Sequence, residues 1–192
     1  MSDLKAVKDA LRKKFLALRA AMSPVEHLAL NGAISARLLA MEEFAAADTV
    51  VGYATDGNEV DVRSVLENAL IVGKKIALVR YDKTRKSYDP VEITSFQEDL
   101  EVAKFGLLEP KADLPKAVLS EKSLWLVPAV AFDRKGTRLG RGGGFYDRML
   151  TEYPGRKVGV FYQNQYSEEA LPCAEHDQKL DLAVTEDRVY KF

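Results

Sequence analysis

The sequence predicts an α/β sandwich, three layers deep, built on a largely parallel sheet. Three observations carry this. Apolar, β-branched runs at residues 49–53, 75–81, 124–130 and 157–162 have the length of buried strands. Helical patterns separate several of them, the order that builds βαβ units. Residues 136–144 hold five of the chain's 12 glycines and lie between a strand and a helix, where α/β sheets place their ligands.

Leu4, Val7, Leu11, Phe15, Leu18 and Met22 recur at helical spacing, which predicts an amphipathic helix over residues 3–22. Lys5, Lys8, Arg12 and Arg19 follow one flank of it, and such a row is ordinarily solvated. Ser23-Pro24-Val25-Glu26 is a capping box with proline at the first helical position, so a second helix runs to about residue 39. After the first strand and the loop Thr55-Asp56-Gly57-Asn58, Asp61 caps a helix. Its inward positions are Val62, Val65, Leu66, Ala69 and Leu70, and Gly73 closes it. Residues 83–90 read as a polar turn and residues 91–96 as an edge strand. The run 124–130 is the most apolar, is interrupted by Pro128, and holds Trp125 as a core residue. A helix over residues 145–153 follows the glycines, and residues 180–184 and 188–190 are short terminal strands. One domain is expected over residues 1–192.

Composition narrows the function. The chain is 47% apolar and 30% charged, and its net charge of −1 offers no broad positive field to nucleic acid or an anionic membrane. Cys173 stands alone, which excludes an internal disulfide and a cysteine-based zinc site. His27 and His176 are too few for a histidine metal cluster. No apolar run approaches a membrane span and no signal-peptide pattern opens the chain. A cytoplasmic monomer acting on small molecules is expected.

The glycine segment reads Gly-Thr-Arg-Leu-Gly-Arg-Gly-Gly-Gly, with Phe145-Tyr146-Asp147-Arg148 after it. Glycines let a backbone turn through positive φ and approach a ligand closely. Arg138 and Arg141 within it point to an anion, held by forked hydrogen bonds near a helix N-terminus. Neither familiar phosphate motif fits: the lysine and hydroxyl of one are absent, and the glycine spacing of the other fails. The plainer alternative is a basic surface turn, although a turn needs one or two glycines rather than five.

The segment from Val127-Pro128 through Arg148 resembles the signature of the 5-formyltetrahydrofolate cyclo-ligase family. Lys8-x-x-Leu11-Arg12, Glu59, Gly106-Leu107-Leu108-Glu109-Pro110 and Asp181 fall in the family's order along nearly the full length. The resemblance implies a fold similar to phosphosugar isomerases and CoA transferases. It also implies an ATP- and Mg²⁺-dependent enzyme that cyclises 5-formyltetrahydrofolate to 5,10-methenyltetrahydrofolate. By the same resemblance, Lys8, Arg12 and the loop from Arg138 through Leu139, Gly140, Arg141, Gly142, Gly143, Gly144, Phe145 and Tyr146 bind ATP. Arg138 and Arg141 take part in catalysis, Ala54, Glu59 and Tyr146 bind the folate, and Asp147 and Asp181 hold the metal. From the residues alone, Asp147 could equally serve the helix macrodipole and Asp181 could cap a strand end. Phe145 and Tyr146 could face folate rings or fill the core. His176-Asp177 is assigned no role. Many relatives carry two tyrosines where this chain has Phe145-Tyr146, so one hydroxyl is absent. The alternative function is a folate or nucleotide binder on the same fold without turnover.

Overall fold

A computed structural model of the chain describes residues 2–103 and 106–192. Its central sheet has five parallel strands: β1 (Thr49–Gly52), β2 (Lys75–Asp82), β6 (Leu124–Val127), β9 (Arg156–Val160) and β11 (Leu182–Val184). An antiparallel strand closes each edge, β3 (Ser87–Ile93) beside β2 and β12 (Val189–Lys191) beside β11. The order is β12-β11-β9-β6-β1-β2-β3. Strands buried on both faces read as continuous apolar runs, which is why periodicity found them.

Alternate residues of these strands face two cores. On one side Val50, Ile76, Leu126 and Val158 pack under helices α2 (Pro24–Leu39), α3 (Glu42–Ala46) and α4 (Arg63–Ile71). On the other, Val51, Trp125 and Val127 meet Met149 and Leu150 of helix α5 (Phe145–Glu152). The Ser23 capping box and the Gly73 closure read from sequence are present. Ser23 Oγ accepts the Glu26 N–H while Glu26 Oε2 accepts the Ser23 N–H, and Gly73 closes α4 at φ +80°. Asp61 is not the cap of α4: the N-cap position is Val62, and Asp61, one residue earlier, accepts the Arg63 N–H at 2.9 Å in the turn leading into the helix.

Four expectations change. The run 124–130 is not one strand, because Pro128 has no N–H to continue the ladder and β6 stops at Val127. The chain re-enters as β7 (Ala131–Asp133), which pairs with β8 (Arg138–Leu139) and β10 (Tyr166–Ser167) in a small second sheet. Arg138 and Leu139 therefore lie on a strand rather than in a loop. The buried Gln165 side chain donates to the Ala129 and Val130 carbonyls at 2.9 and 3.0 Å, satisfying the backbone where the chain crosses between sheets. The edge strand begins at Ser87, earlier than its apolar alternation. Glu92 and Pro90 of this strand bond to Pro115 and Ala117, which partly covers its outer edge. A further hairpin, β4 (Leu100–Val102) with β5 (Leu108–Pro110), has no counterpart in the sequence reading.

The fourth change concerns the first helix, α1 (Ser2–Ala20). Leu4, Val7 and Leu18 of the expected inward stripe are exposed, while Leu11 and Phe15 pack on Val130, Leu139 and Leu171. The basic flank turns inward instead, with Arg19 only 3% exposed. Lys8 and Arg12 meet carboxylate and carbonyl oxygens of the loops on which the helix rests, whereas Lys5, on the same flank, stays exposed.

Candidate active site

Beyond the carboxyl ends of β1 and β6 lies a cavity of about 340 Å³. The glycine segment and α1 form one side of it. The loop after β1, the face of β2–β3 and the β4–β5 hairpin form the other.

At its base, Arg138 is held on both sides. One terminal nitrogen donates to the Gln178 carbonyl and the other to Asp147 Oδ1 at 2.6 Å. Its side chain is 3% exposed. The open fork expected of Arg138 is thus already engaged, because β8 carries the residue inward beneath the loop. Asp147 Oδ1 also accepts the Gln178 N–H at 3.0 Å, which leaves Oδ2 for other partners. Above this base the chain rises through Gly142 (φ +100°) and Gly144 (φ +63°), the latter preceding the first turn of α5. Both angles favour glycine, and a Cβ at Gly142 would lie 3.3 Å from the Arg12 guanidinium carbon.

Helix α1 delivers Lys8 and Arg12 to the same rim. Arg12 Nε donates to the Gly140 carbonyl at 2.8 Å, which fixes the loop against the helix. Lys8 Nζ lies 2.5 Å from Asp177 Oδ2, which also accepts the Ala174 N–H at 2.8 Å. Burial pushes the Asp177 carboxyl up, but the Ala174 N–H and the Lys8 ammonium outweigh it and hold it below the ordinary 3.8. Cys173, on the adjoining turn, is exposed.

Across the cavity, Glu59 follows β1. Burial drives its carboxyl above the ordinary 4.5, against the pull of Arg141, whose guanidinium is 3.2 Å from Oε1. Arg141 also contacts Asp56 Oδ2 and is half exposed. Burial likewise drives the Tyr146 phenol well above 10.0. Phe145 packs edge-on against Tyr88, with centroids 5.0 Å apart, and against Tyr81 at 6.1 Å, so it joins an aromatic wall at the mouth of the cavity. The far end of α5 is tied to the β2–β3 hairpin: Arg85 bridges Glu152 and Asp89, and the Tyr153 hydroxyl donates to Asp89 at 2.8 Å.

Ala54, Glu59, Lys8, Arg12 and the residues from Arg138 through Asp147 all line this cavity. Asp181 does not. Its carboxylate accepts the Lys157 N–H at 2.7 Å at the amino end of β9, the opposite end of the sheet. The pair Asp147 and Asp181 is therefore not assembled. The carboxylate brought beside Asp147 is Asp177, which lines the cavity and precedes the residue whose N–H binds Asp147. Asp177 had no local signal, since its placement depends on the turn at residues 174–177. Among the described residues no group of three or more His, Cys, Asp or Glu could hold a metal alone. Two carboxylates do suit a magnesium ion that takes its remaining ligands from nucleotide phosphates and water.

The profile of the 5-formyltetrahydrofolate cyclo-ligase family matches residues 4–186. The chain belongs to the 5-formyltetrahydrofolate cyclo-ligase family. It is 29% identical over 184 residues to the 5-formyltetrahydrofolate cyclo-ligase of Escherichia coli K12, covering 91% of this chain and 97% of that one. The cyclo-ligase of Mycolicibacterium smegmatis is 32% identical over 145 residues, or 73% of this chain and 74% of the relative. The NMR structure of Aquifex aeolicus 5,10-methenyltetrahydrofolate synthetase matches with a TM-score of 0.84 at 33% identity, over 96% of this chain and 92% of that one. The fold also matches a 5,10-methenyltetrahydrofolate synthetase from Mycoplasma pneumoniae, with a TM-score of 0.74 at 23% identity over 93% and 98% of the two chains. The glycine segment, Lys8, Arg12 and Glu59, which carried the resemblance in sequence, meet in the cavity of this family member.

Proposed function

We propose that the chain converts 5-formyltetrahydrofolate and ATP into 5,10-methenyltetrahydrofolate, ADP and phosphate. The observation that carries this is the meeting, in one cavity, of a cationic glycine segment suited to phosphates with a buried carboxylate and an aromatic wall suited to a pterin. Nucleotide phosphates lie along residues 138–144, under Lys8 and Arg12. Loop N–H groups and fixed cations neutralise charge there without a general base, as phosphoryl transfer requires. Asp147 and Asp177 would hold a magnesium ion, which would supply further charge neutralisation. Glu59 accepts hydrogen bonds from the pterin amino and ring N–H edge, and Arg141 opposes the burial that raises its pKa.

The formyl oxygen on N5 attacks the γ-phosphorus and ADP leaves, which turns a poor leaving group into a phosphate ester. N10 then adds its lone pair to the formyl carbon. The C–O bond breaks, phosphate departs with its electrons, and the N10 proton is lost to water, leaving the methenyl cation. Holding N10 close makes the closure effectively unimolecular. A monomeric enzyme in the cytoplasm belongs to the same reading. The test is to mix the protein with 5-formyltetrahydrofolate and Mg-ATP and follow near-ultraviolet absorption of the methenyl product. Tight binding of both ligands without that signal would favour a non-catalytic binder.

A further inference from the structure

Arg19 is the least exposed charged side chain of α1 and has no use in the mechanism above. The residue as a whole is 3% exposed, and no other described residue accepts a hydrogen bond from its guanidinium. Its neighbours differ: Arg12 is paired with Asp9 at 2.5 Å, and Arg141 is paired with Asp56. The Arg19 nitrogens are not among the fully buried, unpartnered atoms, so its fork opens onto a neighbouring cleft and is left as a forked donor there. Arg19 lines a cleft of about 400 Å³, together with Arg12, Arg141, Asp56 and Asn58. Arg12 and Arg141 also line the main cavity, so the two spaces adjoin.

We infer that this cleft is an oxyanion subsite centred on Arg19, and that its ligand is the inorganic phosphate released by the reaction. The inference rests on the proposed cyclisation for the identity of the anion, but not for its binding. A folate's glutamate tail has suitable charge, but the cleft is lined by Arg141, the partner of Glu59, where the pterin end is placed, and the tail lies at the other end of the molecule. Nucleotide phosphates belong to the glycine segment. Free phosphate remains: it leaves beside Arg141 and meets, in Arg19, a forked donor with no other partner.

The test uses inorganic phosphate and the full chain, without folate or turnover. In the wild type, the Arg19 Nε–H signal in ¹⁵N NMR is expected to shift saturably with phosphate, and to do so with ADP present. Arg19→Gln is expected to weaken phosphate binding by calorimetry about tenfold or more, as loss of a charge-assisted contact implies. It is also expected to raise the phosphate inhibition constant of the cyclisation in parallel. Arg19→Lys, which keeps the charge, is expected to retain part of the affinity. An Arg19 signal unmoved by phosphate, phosphate fully displaced by ADP, or an unchanged phosphate affinity in folded Arg19→Gln would each overturn the subsite. If polyglutamylated folate moves the signal and phosphate does not, the cleft serves the substrate tail and the inference fails. An inactive protein that still binds phosphate through Arg19 would overturn the proposed reaction and leave the subsite standing.

Discussion

The base of the glycine segment and its crown use the same chemistry for different ends. At the base, Arg138 is almost fully buried and locked between Asp147 and the Gln178 carbonyl. At the crown, Arg141 is half exposed and leans on Asp56 and Glu59 across the cavity. Two arginines three residues apart therefore differ in freedom. The base is a fixed positive charge that also orients a carboxylate, whereas the crown is half exposed and paired with two carboxylates across the cavity. The lesson is that a motif's residue types announce an anion, while burial decides which of them stays in place and which moves.

The largest effect is expected at the base. Arg138→Ala leaves Asp147 partly buried without its partner, a loss of about 3 kcal/mol by comparison with other broken buried pairs. A lower urea midpoint and a large loss of turnover are expected together, with ATP use affected more than folate binding. Arg141→Ala, at the crown, is expected to lower turnover with little change in the urea midpoint. Equal destabilisation by the two substitutions would erase the distinction between base and crown.

The metal assignment comes next. Asp147→Asn and Asp177→Asn are each expected to raise the Mg²⁺ needed for half-maximal turnover by about tenfold or more. The double mutant is expected to be little worse than the stronger single one, because groups acting on one ion are not additive. Asp181→Asn is expected to leave the magnesium titration in place and to cost about 1 kcal/mol of stability for its backbone contact. A shifted magnesium dependence in Asp181→Asn would restore the pair implied by the family resemblance.

Glu59 sharpens the contrast from the folate side. Glu59→Gln is expected to raise the folate KM several-fold and leave the ATP KM alone, as read from initial rates. Since burial places its pKa above 4.5, lowering the pH through that raised value is expected to raise the folate KM in the wild type. The folded pKa exceeds the unfolded one, so ionised Glu59 costs stability at neutral pH, and that cost fades as the pH falls through the folded value. A folate KM that is flat with pH would separate Glu59 from the pterin. The smallest effect is expected at Gly142→Ala, where strain at φ +100° and contact with Arg12 cost about 1 kcal/mol and raise the ATP KM modestly.

Much of this architecture was legible from the chain. Buried strands and capped helices leave local signals, so β1, β2, β9, α2 and α4 were found near their ends. The glycine segment, singled out by its composition alone, forms one side of the cavity. The small sheet of β7, β8 and β10 was not legible, because strands of two or three residues pair across the chain with no period to read. That sheet is what buries Arg138, so the engaged fork could not be foreseen. Asp177 and Asp181 stand four residues apart as similar single acids, and only the turn between them decides which reaches the cavity. The inward turn of the basic flank on α1 was hidden for a related reason. Helical periodicity identifies two faces, but the polarity of the surface that receives them decides which is buried.

The solitary cysteine gives this rim a built-in address. Cys173 is exposed and four residues from Asp177, on the turn that meets Lys8, and the sequence holds no second thiol to compete for a maleimide dye. A fluorophore attached there would sit beside the carboxylate proposed to hold magnesium. Arrival of Mg-ATP could then be followed in real time by a change of emission, on the native sequence, without removing or adding a residue.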